Sequence, residues 1–285
     1  MDAFLDCVGE TEARMRLAVT ELLSDGVIGS CRYADETLST NTDALNDVQS
    51  GLANESHLPK LFLTDRQTSG RGRQGNQWLS SHDSLTFSLL IRFDVRSPNA
   101  TLISIAAGIG VAQGIEHSCA PLKVSLKWPN DICIVETTPT TPQLRKLGGI
   151  LIETSASAPD RMVIGIGINI DRAPELTDTE TSAVALTQIA QRSICREDLL
   201  QSIVTSVLEL IDETTGDDAA SSRNRLIQSY RSRCALSGRQ ISLRQNDQII
   251  EGHCLGISDD GSLRLQHNGQ HVDLRSGEVQ QVRFR

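Results

Sequence analysis

Apolar positions along this chain follow two periods, and the change from one to the other divides it. Over residues 11–23 they fall at Met15, Leu17, Ala18, Leu22 and Leu23, the three-and-four spacing of an amphipathic helix that stops near Gly26. Residues 61–63 and 85–93 are apolar runs of strand length. Residues 101–117 are apolar and small throughout and predict a buried helix. Residues 124–135 predict strand, turn, strand, with Pro129, Asn130 and Asp131 in the turn. Residues 145–153 and 162–170 predict two further strands. A helix over 196–212 is marked by Leu199, Leu200, Ile203, Val204, Val207, Leu208 and Ile211, and a second helical stretch covers 221–232. After Gly238 the texture changes to short strands at 240–243, 248–256, 262–266, 271–274 and 279–284. Asp260-Gly261 and Asn268-Gly269 supply turns between them, and a small five-strand barrel is expected.

The segments between these elements carry the candidate chemistry. Residues 64–78, TDRQTSGRGRQGNQW, form a loop leaving a sheet. Gly70, Gly72 and Gly75 let its backbone bend and approach a ligand, and Arg71 and Arg73 offer donor forks that match carboxylate or phosphate. A flexible basic loop or an RNA-binding patch would show the same residues. Thr40 with Asp43 three residues on has the form of a capping box, so a helix starts there; Ser39, Thr40 and Asn41 would present donors and acceptors to a small polar ligand. Residues 47–60 are polar and read as a surface loop, and TTPTTPQ at 137–143 as a mobile connector. Lys127 and Asp131 flank the Pro129 turn, as in an ordinary hairpin or in a nucleotide or metal-phosphate site. Gly165, Gly167 and Asn169 share one face of their strand, so a ligand or another backbone packs closely there. Gly108, Gly110 and Gly114 mimic a dinucleotide fingerprint but sit inside a helical pattern, where close helix packing is the better explanation.

Composition narrows the function. A net charge of -9 over 285 residues disfavours a general nucleic-acid binder, so the loop arginines serve a local purpose. The seven cysteines form no CxxC pair, and His267 and His271 lie in strand context, so neither suggests a metal site. The N-terminus has no signal-peptide pattern and no run reaches membrane-spanning length; a cytoplasmic, reducing setting is expected.

Taken in series, the motifs resemble the biotin protein ligase family. They are Ser39-Thr40-Asn41, Gln67 with Gly70-Arg71-Gly72-Arg73 and Gly75, Trp78, Lys127-Trp128-Pro129-Asn130-Asp131, Lys146-Leu147-Gly148-Gly149-Ile150-Leu151, and Gly165, Gly167 and Asn169, with an SGEV-like segment at 276–279. The resemblance implies an α+β fold: a mixed-sheet, class II synthetase-like catalytic domain at 31–235, after an N-terminal extension at 1–30 and before an SH3-like barrel at 236–285. It implies ATP-dependent formation of biotinyl-5'-AMP, with Mg2+, and transfer of biotin to a lysine of a biotin carboxyl carrier domain of acetyl-CoA carboxylase or a related carboxylase. Under it Ser39, Thr40, Asn41 and Gln67 hold the ureido ring, Gly70, Arg71, Gly72 and Arg73 close over the carboxylate and α-phosphate, and Lys146 stabilises the transition state. Lys127, Asn130, Asp131 and Asn169 face the nucleotide, with Asp131 and Arg71 counted as catalytic; no metal ligand is assigned, and Trp128 packs. Leu38 stands where many members have an acid, and Gln74 and Asn76 replace further arginines, which predicts a looser hold on the intermediate. No DNA-binding winged helix is recognised, so neither a repressor role nor DNA binding is expected. A homodimer stays open. A lipoate or octanoate ligase or transferase, and a non-catalytic binding module, are the rival readings.

Overall fold

The computed structural model describes residues 2–52, 55–137, 142–175, 182–215, 219–246 and 248–283. Helix α1 (Asp2–Ser24) leads to strand β1 (Ser30–Thr37), helix α2 (Thr40–Gln49), strands β2 (Lys60–Gln67) and β3 (Ser84–Arg92), and helix α3 (Ile103–Ser118). Strands β4 (Ser125–Lys127), β5 (Asp131–Thr137), β6 (Pro142–Ser155) and β7 (Ala158–Asn169) follow. Helices α4 (Leu186–Ala190), α5 (Arg196–Thr215) and α6 (Ala219–Arg233) precede five strands, β8 (Gln240–Gln245), β9 (Gln248–Ile257), β10 (Leu263–His267), β11 (Gln270–Leu274) and β12 (Glu278–Arg283). The first seven strands make one mixed sheet, ordered β1-β2-β3-β7-β6-β5-β4, parallel only between β1 and β2. The last five make an antiparallel sheet, ordered β11-β10-β9-β8-β12, with irregular register at Arg264/Leu265 and at Val279/Gln281. No helix among the described residues is long and apolar enough to cross a membrane.

Side chains that alternate along the strands divide the large sheet into two faces. Leu61, Leu63, Leu85, Phe87, Leu89, Ile164, Ile166 and Ile168 point to the main core, where α3 and α5 lie. Phe62, Leu90 and Val163, each one residue out of step, point the other way and pack under Ala44 of α2. The barrel joins the main core through Leu243, Cys254, Leu263, Leu265 and Val279. In α3, a Cβ on Gly110 or Gly114 would fall 2.6 Å from Cα of Val207 or Ile203, so these glycines are there for contact with α5.

Three expectations need correction. The capping box is not formed: Ser39 is the N-cap of α2 with no side-chain cap bond, because the Thr40 hydroxyl turns inward to Gln67 and Asp43 accepts from Thr37 Oγ1 at 2.8 Å. Residues 47–49 continue α2 where a loop was expected. Asp47, 6% exposed, binds Lys60 Nζ at 2.6 Å, and this pairing lets a carboxylate be buried in the last turn of the helix. Strand β1 and the short α4, which pattern alone did not reveal, add an edge to the sheet and a turn after it. Of the expected connector, residues 138–141 lie outside the described residues, and 142–143 belong to β6. Cys31, Cys119, Cys133, Cys195, Cys234 and Cys254 are free, and burial raises the thiols of Cys31, Cys133 and Cys254 to about 12, so these three act as packing groups.

Phe62 is the largest side chain of the small cluster that seats α2. Phe62→Ala should cost about 3–5 kcal/mol, read as a lowered urea midpoint, with faster amide exchange concentrated in α2.

Candidate active site

The face of the sheet that carries α2 changes character along its length. Strand pairing sets Leu90 opposite Val163, then Ser88 opposite Gly165, Thr86 opposite Gly167 and Ser84 opposite Asn169. The apolar pair seats α2; beyond it the surface becomes small and polar and forms the floor of a cleft of about 910 Å³. Two missing side chains set how near the walls come. A Cβ on Gly165 would stand 2.2 Å from Asn41 Oδ1, and one on Gly167 would stand 2.4 Å from Trp78 Cε2. The first turn of α2 and the indole of Trp78 therefore rest directly on β7.

At this floor the neutral polar residues form one network. Gln67 Oε1 accepts from the Thr40 backbone N–H at 2.8 Å and from its hydroxyl at 3.1 Å. Ser88 Oγ lies 2.6 Å from Asn41 Oδ1 and 2.7 Å from Thr40 Oγ1. Its single proton goes to the amide oxygen, which can only accept, and this orients Asn41 so that Nδ2 donates to Glu153 Oε2 at 2.8 Å. Ser39, Thr40, Asn41 and Gln67 are all buried.

The glycine-arginine loop closes one side. It folds back on itself, with Gly72 N–H donating to Asn76 at 2.7 Å and Trp78 N–H to Gly70 at 3.0 Å. Its tip holds Gln74 and Gly75 at positive φ, 54° and 82°. Arg71 forks onto Glu153 at 2.9 and 2.7 Å, while Arg73 Nη1 reaches Asn130 Oδ1 at 3.5 Å. Burial lowers the Arg73 guanidinium from its ordinary value against opposition from Asp131 and Glu278; as an arginine it remains charged.

Opposite lies a compact charged group. The tight turn between β4 and β5 sets Lys127 across from Asp131, with Nζ 3.7 Å from Oδ2. Lys146, from β6, places its Nζ 2.6 Å from Asp131 Oδ1. Burial acts to lower the Lys146 ammonium, but the Asp131 carboxylate outweighs it and the net shift is upward. Asn130 ties this turn to β6 through Nδ2 to the Ile150 carbonyl at 2.8 Å. Ser182 and Val184 form backbone bonds with Lys146, both 2.8 Å, so that segment lies beside the lysine; Thr181 is outside the described residues. Asn169, 2% exposed, donates to the Val184 carbonyl at 3.3 Å. Trp128 packs as expected, and its indole N–H also donates to Gly261 of the barrel at 3.2 Å.

Every residue expected at the site lines this cleft or its supports: Ser39, Thr40, Asn41, Gln67, Arg71, Gly72, Arg73, Lys127, Asn130, Asp131, Lys146 and Asn169 line it, and Gly70 packs on the Trp78 carbonyl. The structure adds Ser88 and Glu153 beneath them, and from the barrel Arg244 and Glu278, paired at 2.8 Å over the charged end. Ser88 was legible, since Ser84, Thr86 and Ser88 are the alternate polar positions of an otherwise apolar strand. Glu153, at the exposed end of a strand, carried no such signal.

A mixed-sheet domain with a polar, cation-edged cleft is thus followed by a small barrel that helps to wall the cleft. The Biotin/lipoate A/B protein ligase family model matches residues 33–169, and the Biotin protein ligase C terminal domain model matches residues 236–281. The bifunctional ligase/repressor BirA of Bacillus subtilis is 30% identical over 284 residues, covering 96% of this chain and 79% of that protein. The biotin--[acetyl-CoA-carboxylase] ligase of Mycobacterium tuberculosis is 27% identical, covering 87% of each. Among solved structures, biotin protein ligase from Aquifex aeolicus in complex with biotin and ATP superposes with a TM-score of 0.71 at 23% identity, covering 90% of this chain and 99% of that one. The chain belongs to the biotin protein ligase family.

The contact between Gly167 and Trp78 is open to a direct test. In a Trp128→Phe background, which leaves Trp78 as the one indole of the chain, Gly167→Ala should displace the ring toward solvent and shift its fluorescence emission to the red.

Proposed function

We propose that this chain activates biotin with ATP and transfers it to a lysine of a biotin carboxyl carrier domain, that of acetyl-CoA carboxylase or a related carboxylase. The observation that carries the reading is the polarity of the cleft: a buried, neutral hydrogen-bonding floor adjoins a cluster made by Arg73, Lys127, Lys146 and Asp131. A bicyclic urea with a carboxylate tail has the matching polarity. Thr40, Asn41, Ser39 and Gln67 bind the uncharged ureido group, and the tail runs past Trp78 toward Lys146. A carboxylate oxygen then attacks the α-phosphorus of ATP, the bond to pyrophosphate breaks, and biotinyl-5'-AMP forms. In the second step the carrier lysine, as the free amine, attacks the acyl carbon and AMP leaves. Both steps build negative charge on oxygens, which Lys146 and Arg73 offset from fixed positions.

Asp131 holds Lys146 in place and keeps it protonated. Among the described residues no three His, Cys, Asp or Glu side chains converge as a metal cage. Magnesium carried in on the nucleotide would meet side-chain oxygens of Asp131, Asn130 and Asn169 in the cleft lining. Bound there, the ion would offset phosphate charge.

Pyrophosphate exchange into ATP tests the first step. Exchange should require biotin and fail with lipoate or with no acid; exchange with lipoate alone would move the chain to the sister activity. Lys146→Ala should lower the biotin-dependent rate by roughly 10²–10³-fold, the scale of one preorganised donor. Because the Lys146 ammonium is raised, its charge persists as pH rises, and the rate should hold on the alkaline side past the ordinary lysine range. In Asp131→Asn the burial contribution, which lowers it, is opposed only by the smaller influences of Cys133 and Glu278, so the alkaline limb of the pH–rate profile should move down.

A further inference from the structure

The two loop arginines point to opposite ends of the cleft. Arg71 has its guanidinium engaged by both oxygens of Glu153, a bidentate pair at 2.9 and 2.7 Å. Arg73 has a neutral amide oxygen at 3.5 Å, at the limit of a hydrogen bond, and lies in the field of Asp131. A substrate carboxylate reaching Arg71 would have to displace a carboxylate already fitted to it. One reaching Arg73 displaces almost nothing.

Glu153 also connects the loop to the pocket. The same Oε2 that accepts from Arg71 accepts from Asn41 Nδ2, and Asn41 Oδ1 in turn accepts from Ser88, whose Oγ lies 2.7 Å from Thr40 Oγ1. A line of hydrogen bonds thus runs from the pocket floor to the base of the loop, with Glu153 as its only charged member before Arg71. Strand β6 places Glu153 there by period two, on the same face as Gly149 and Leu151, which pair with Gly167 and Gly165.

We infer that Glu153 is a positioning residue: it pins Arg71 as the anchor of the glycine-arginine loop and couples the loop to the polar pocket, leaving Arg73 to meet the reacting groups. The inference rests on the ligase reading for its kinetic consequence and on geometry alone for the anchor. Glu153→Gln leaves an oxygen and an N–H in place of the carboxylate, so Asn41 keeps a partner while Arg71 loses its counter-ion.

The test is a cycle of Glu153→Gln, Arg71→Gln and the double variant, read by biotin-dependent pyrophosphate exchange. Each single variant should raise KM for biotin about tenfold, the scale of one charge-assisted pair. In Glu153→Gln the rate at saturating biotin should stay within a few-fold. The double variant should be no worse than either single one, because both remove the same link. Glu153→Asp, which keeps the charge, should recover part of the affinity. Additive losses, or a fall in the saturating rate confined to Arg71→Gln, would show Arg71 touching the reacting groups and overturn the inference. So would an unchanged KM in Glu153→Gln. Failure of the ligase reading is separate and shows as no biotin-dependent exchange by the unaltered chain. Trypsin cutting within the loop, without ligand, still reads the anchor in that case: faster cutting at Arg71 and Arg73 in Glu153→Gln supports it, and equal rates refute it, with cutting elsewhere in the chain as the control for folding.

Discussion

The site depends on how closely the binding elements approach β7. At Gly165 and Gly167 there is no Cβ between the strand and what lies on it, so Asn41 and Trp78 occupy the space a side chain would fill. Everything else in the cleft is referred to those two contacts. Asn41 is held against the sheet and can be oriented by Ser88 from the neighbouring strand; Trp78 is held against it and fixes the end of the glycine-arginine loop. The opposite face of the same strands carries Ile164, Ile166 and Ile168 into the main core, so the floor cannot yield without disturbing the packing that supports the domain.

Charge is treated differently at the two ends of the cleft. The floor uses hydroxyls and amides, which satisfy one another when buried and leave no net charge. At the reaction end, Asp131 stands between Lys127 and Lys146, and the three groups lose solvent together. A carboxylate in that position keeps the Lys146 ammonium charged against burial and holds both lysines in place before any substrate arrives. The Arg244–Glu278 pair on the barrel lies over this end, and the Trp128–Gly261 bond ties the barrel to the turn that carries Asn130. The barrel is thereby part of the cleft's wall as well as a separate sheet.

Sequence pattern made most of the elements legible where burial is one-sided or complete. The apolar face of α5 and the alternation in β3 and β7 each carry a period that only one conformation satisfies, and α3 is an apolar run too long for a strand. It failed where polar residues were buried by pairing with one another. Asp47 reads as loop because its partner, Lys60, lies 13 residues away on another element. Thr40 reads as a cap because its true partners, Gln67 and Ser88, are distant in the chain.

By itself, then, the sequence determined which residues could do chemistry: the order of the motifs, the glycines that admit close approach, the arginines and the KWPND turn are all local and each has a local physical meaning. Only the tertiary structure decided how the charges are shared. Arg71 and Arg73 are equivalent in the sequence, two forks in one loop. They differ because a carboxylate 82 residues further on, near the end of β6, the fourth strand after the loop, lies under one and not the other. Spacing along a chain constrains backbone conformation, whereas an ion pair is set by where two elements come to rest, and that follows from packing of the whole sheet.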